Sequence, residues 1–126
     1  MNLFKYMRDK RGQSMVEMAI ALPVLILIFA SMIDVGRVVF AQMTVTSAAS
    51  TGARNYVATL DIDKATAAAN TAASTIQNVE TPIVAAVTFA GVTTVTVTVT
   101  AKVNILTPVI SHIFPNPYTV TGVVIM

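Results

Sequence analysis

Glu17 is the one carboxylate in a stretch that otherwise avoids charge: it heads residues 18–33, which contain no Asp, Glu, Lys, Arg or His. A carboxylate held in a low-dielectric surrounding is costly unless a cation or hydrogen-bond donors meet it. Two readings stay open on the residues alone. Glu17 either lies solvated at the edge of an apolar layer and marks that edge, or it needs a positive partner that the apolar run does not supply. Five residues before it stands Gly12, the end of a polar, basic N-terminal tail.

Other chemistry is thin. His112 is the only histidine, so a serine or threonine nucleophile elsewhere lacks a base, and no Gly-x-Ser-x-Gly elbow surrounds any serine. Asp61 and Asp63 lack the further oxygen ligands and the glycine turn of a calcium loop. They suit the start of a helix, whose positive end a carboxylate caps. With no cysteine, thiol, zinc–cysteine and disulfide chemistry are excluded. The chain is therefore expected not to be an enzyme and to use no cofactor, metal or small-molecule substrate.

The elements that must position Glu17 follow from charge and periodicity. In residues 1–12, Lys5, Arg8, Lys10 and Arg11 face only Asp9, whereas from Asp34 onward Arg37, Arg54, Lys64 and Lys102 balance Asp34, Asp61, Asp63 and Glu80. The net charge of +2 thus belongs to the tail, and the rest lacks the basic cluster that a nucleic-acid partner needs. Residues 18–33, extended by Met15, Val16 and Val35, reach the roughly 20 residues that cross a bilayer. The membrane part is placed at about residues 15–35, with the basic N-terminus inside and everything beyond residue 34 outside. A cleaved secretory signal is the weaker reading, because its nearest site, Val39-Phe40-Ala41, is bulky at its centre and lies beyond Asp34 and Arg37.

The helical pattern continues past the span. Val35, Val38, Val39, Met43, Val45, Ala48, Ala49, Gly52, Ala53, Tyr56 and Val57 recur largely at three- and four-residue steps, with Gln42 where the stripe wants an apolar residue. One helix over residues 13–57 is about 65 to 70 Å long, half in lipid and half outside. Pro23 removes its own N–H and crowds the carbonyl of Ala19, making a tolerated membrane proline or a point of weakness. Gly36 with Arg37, and the pairs Ala48/Gly52 and Ala49/Ala53, offer small surfaces that another backbone can approach.

Residues 58–126 are expected to form a small α+β head outside the membrane. A second helix, KATAAANTAASTIQNV, follows a cap at Asp61 or Asp63 and presents Ile62, Ala65, Ala69, Ala72, Ala73, Ile76 and Val79 on one thin face. After Pro82 the period becomes two. Residues 83–90 form a β-prone run, Gly91 turns it, and residues 94–105 alternate valine-rich and threonine-rich faces. Residues 118–126 give a last strand, in which a bulge at Gly122 keeps Tyr118, Val120, Val123 and Ile125 on one side. The sum is an antiparallel sheet of about three strands laid on the helices. The connection over residues 106–117, with three prolines and Ile110, Ile113 and Phe114, either tucks under the sheet or forms a contact patch.

A basic leader, then Gly12-Gln13-Ser14-Met15-Val16-Glu17 at the head of an apolar helix, resembles the sequence that prepilin peptidases recognise. Residues 12–19, Leu22-Pro23, residues 34–37 and residues 48–54 together resemble the TadE-like family of the tight-adherence (Flp, type IVb) pilus system. Ser50 departs from the arginine frequent in that family. The resemblance implies that a prepilin peptidase cuts between Gly12 and Gln13, removing residues 1–12. It also implies that other pilins or pilus-assembly proteins are partners, and that Glu17 pairs with the new α-amine of a neighbouring subunit. That amine, with a pKa near 8, is largely charged at neutral pH. On this reading the chain is a minor pilin or pseudopilin. The alternatives are an uncleaved single-pass scaffold or binding module, and an exported soluble domain that begins at Gln42.

Overall fold

The computed structural model describes residues 10–79, 83–89 and 91–126. Most of the basic tail, residues 1–9, and its charges lie outside the described residues, as do residues 80–82 and Ala90. Helix α1, Lys10–Thr59, takes up the first half of the described chain. At 1.5 Å per residue it is about 75 Å long, longer at both ends than the expected 13–57. It ends at Leu60, whose positive φ of 55° turns the chain while its N–H still bonds the carbonyl of Tyr56.

Helix α2, Ile62–Ala73, folds back along α1 as an antiparallel hairpin. Asp61 is its N-cap, with Oδ1 accepting from the N–H groups of Asp63 at 3.0 Å and Lys64 at 3.3 Å. The Lys64 N–H is the main reason the Asp61 carboxyl stays below the usual aspartate range, against a weaker opposing effect of burial. The helix is shorter than its apolar pattern suggested. It stops at Ser74, and Asn78, at φ 62°, redirects the chain so that Val79 bridges Ala101. Sheet pairing takes the last residues that helical periodicity had claimed. Ile62 is exposed, and Ala65, Ala69 and Ala73 form the buried face.

Strands β1 (Ile83–Phe89), β2 (Val92–Val103) and β3 (Tyr118–Ile125) make one antiparallel sheet in the order β1-β2-β3. Gly91, at φ 83°, supplies the left-handed turn that joins the first two. The alternation in β2 places Val95, Val97, Val99, Ala101 and Val103 in the core and leaves the threonines half-buried on the other face. The core is filled from α1 by Ala41, Val45, Ala48, Ala49 and Ala53, and from α2 by its alanines. Helices and sheet thus form two layers whose contact is made largely of small residues.

Strand β3 corrects the expected bulge. Its register with β2 is unbroken from Val103↔Tyr118 to Thr96↔Ile125, with Val99 opposite Gly122. Val120 and Gly122 are buried and Tyr118 and Val124 half-buried, while Val123 and Ile125 are exposed. The glycine is there for a different reason. A Cβ at residue 122 would lie 2.6 Å from the backbone of Val45 and Thr46, so the strand rests directly on the main chain of α1.

Candidate functional site

Gly12, Gln13 and Glu17 lie in the opening turns of α1, and every residue from 12 to 29 is exposed. From residue 12 onward, no cation among the described residues lies within ion-pair distance of Glu17. Glu17, Ile20, Ala21, Val24, Leu25 and Ile28 line one shallow groove along the helix, following its three- and four-residue steps. An apolar seam with one carboxylate at its N-terminal end suits a second helix laid beside it, provided that helix brings a positive group to the level of Glu17. Pro23 lies inside α1 without ending it, leaving the carbonyl of Ala19 without its usual helical donor. Among the described residues α1 is the one helix long and apolar enough to cross a membrane, and its most apolar window is not buried at all.

The apolar run ends at a clamp. Asp34, directly after Ile33, is only 4% exposed and accepts from the N–H of Thr107 at 2.7 Å and of Leu106 at 3.3 Å. Arg37 lies 3.8 Å from the same carboxylate and donates to the carbonyl of Asn104 at 3.2 Å. The acidic and basic members of this short motif fix the end of β2 to the point where the apolar run stops. In the sequence Asp34 counts only as a charge that ends the apolar run and as part of the family resemblance. Its partners are main-chain groups more than seventy residues away, and they leave no trace in side-chain spacing.

The small residues divide into two sets. Ala48 and Gly52 are buried inside the head. A Cβ on Gly52 would come within 3.0 Å of Ala69 Cβ, 3.2 Å of Val97 Cγ1 and 3.3 Å of the Ala65 carbonyl oxygen, so this pair serves the packing of α1 on α2 and β2. Gly36 is exposed and has no neighbour within 4 Å of the corresponding position. Gln42, the polar break in the helical stripe, donates from Nε2 to the carbonyl of Thr121 at 3.0 Å, tying α1 to β3. The bond between Ala41 and Gln42 lies within α1, with Ala41 in the core, so release of a soluble domain there would cut the helix beneath its own sheet. No group of His, Asp and Glu able to hold a metal is present among the described residues.

The family described as TadE-like protein matches residues 12–54, the region whose residues carry the resemblance. The match begins at Gly12 and ends within α1, so α2 and the sheet lie beyond it. No curated protein and no solved structure shows significant similarity to the chain.

Proposed function

We infer, from a TadE-like match that starts at Gly12 and from the exposed apolar stretch with which α1 begins, residues 12–29, that this chain is a minor pilin or pseudopilin of a tight-adherence (Flp, type IVb) pilus. The first half of α1 holds it in the cytoplasmic membrane, with the N-terminus inside and the head outside. A prepilin peptidase cuts after Gly12. The subunit then takes part in assembling or priming the pilus as a structural component rather than as an enzyme.

The observation that carries this reading is the exposure of residues 12–29 with Glu17 at the N-terminal end of the seam. Lipid satisfies the apolar side chains but not the carboxylate. Cutting after Gly12 removes the basic residues that hold the segment at the cytoplasmic face and leaves an α-amine on Gln13. The amine of an adjacent subunit then supplies a positive charge at the level of Glu17. Glu17→Gln keeps the size of the side chain and removes its charge. It is expected to lower incorporation into pili or pilus-assembly complexes by about tenfold, the equivalent of about 1.4 kcal/mol, read by immunoblot of sheared pili against membranes. Unchanged incorporation would eliminate the pairing.

The second reading, an uncleaved single-pass scaffold, draws on one feature: α1 continues without a break through Lys10, Arg11 and Gly12, so the segment before the scissile bond belongs to the same helix. The state of the N-terminus separates the two.

A further inference from the structure

We propose that residues 106–114, including the short helix α3 (Pro108–Ile113), form a second membrane contact, in which Leu106, Ile113 and Phe114 sit among the lipid headgroups beside the exit of α1. The inference rests on the reading of residues 15–35 as a span.

The direction of the chain places this turn. Val97 of β2 packs at Gly52 of α1, Asn104 meets Arg37, and Thr107 meets Asp34. As residue numbers rise along β2 they fall along α1, so the strand runs toward the apolar run and arrives at its end. The return path reverses this. Phe114 and Tyr118 share an apolar groove with Val35 and Val38, and Gly122 lies on Val45. The turn between the strands is therefore the part of the head nearest the bilayer, at the level of the residue that follows Ile33.

Its chemistry fits an interface. Leu106 is 73%, Ile113 71% and Phe114 50% exposed; Val35, Ile33 and Met32 of α1 are exposed as well, and Phe114 shares a groove with Val35. The chain has no Asp, Glu, Lys or Arg after Lys102. A backbone that meets lipid has to satisfy its polar groups internally, and this one largely does. Ile105 exchanges hydrogen bonds with the side chain of Asn116, Leu106 and Thr107 donate to Asp34, and Ser111 donates to the carbonyl of Thr107. Pro108, Pro115 and Pro117 have no N–H to satisfy. Anchoring at two points would hold the head at a fixed tilt to the bilayer, where the span alone would leave it free to swing.

The chain contains no tryptophan, so single substitutions give unique probes. The full chain is placed in phosphatidylcholine vesicles brominated in the upper part of the acyl chains, as three variants. Phe29→Trp reports the span, Phe114→Trp the turn, and Val57→Trp the far end of the head, about 35 Å further along α1. Phe29→Trp and Phe114→Trp are expected to lose about half of their emission to the bromines, while Val57→Trp keeps its emission and is quenched by acrylamide instead. If Phe29→Trp is quenched by lipid and Phe114→Trp behaves like Val57→Trp, the second contact is overturned and the span stands. Protection of Phe114→Trp from both quenchers would mean that a protein surface covers the turn, which also overturns the proposal. If Phe29→Trp itself escapes the bromines, the span fails and the second contact fails with it.

Discussion

Gly122→Ala is expected to destabilise the head by about 3 kcal/mol, at the upper end of overpacking costs. The added methyl meets no flexible side chain. It lands 2.6 Å from the carbonyl carbon and oxygen of Val45 and the nitrogen of Thr46, which are fixed in the middle of α1. Relief requires the helix and the sheet to separate, and that opens space around Val45, Val99 and Val120 in the core. For a head of this size the cost corresponds to a fall of about 15 °C in melting temperature, measured by circular dichroism of the full chain in detergent. Gly36→Ala is the matched control. No atom lies within 4 Å of the added carbon, and the helix gains about 1 kcal/mol from the better helix former. Equal melting temperatures for Gly122→Ala and the parent would mean that β3 does not rest on the backbone of α1.

Asp34→Ala is expected to cost about 3 kcal/mol, because it leaves the N–H groups of Leu106 and Thr107 without acceptors in a place that water reaches poorly. It also frees Arg37 from its ion pair, a smaller loss because that guanidinium is partly exposed. Asp34→Asn keeps one acceptor oxygen and is expected to fall between the two. Amide exchange identifies the mechanism: the amides of Leu106 and Thr107 should exchange much faster in Asp34→Ala, while those in the middle of β2 slow or quicken only with global stability. Unchanged protection at residues 106 and 107 would show that the turn is held by something other than this carboxylate.

The elements with a strong period were legible in the sequence. The valine–threonine alternation of β2 gave its buried face, the charge-free run and the stripe beyond it gave one long helix, and the pair Asp61 and Asp63 gave the start of α2, with Asp61 as the cap. What escaped the sequence was set by contacts with the main chain. The stripe on α1 included Val39, Met43 and Val57, which are exposed, and omitted Ala41, which is buried. In a layer built on close approach, a small residue marks the contact better than a large one. Gly122 looked like a bulge because Val123 and Ile125 are the larger side chains, yet the helix backbone needs the glycine. Asp34 and Gln42 looked like a charge and a flaw in a helix. Their bonds to Thr107 and Thr121 become visible only once the sheet is folded against α1. Of the candidate site, Gly12, Gln13 and Glu17 stand out in the sequence because a leader, a glycine and a lone carboxylate are linear features, and their roles in cleavage and pairing belong to the proposed function. The clamp at the end of the apolar run did not stand out, because it joins positions distant in sequence.

The intact mass of the chain extracted from membranes, together with the N-terminal residue of the form found in pili, tests the proposed role most directly. In a host with an active prepilin peptidase the chain should begin at Gln13, with residues 1–12 absent. A chain that still begins at Met1 in that host would contradict processing and leave the uncleaved membrane scaffold as the better description.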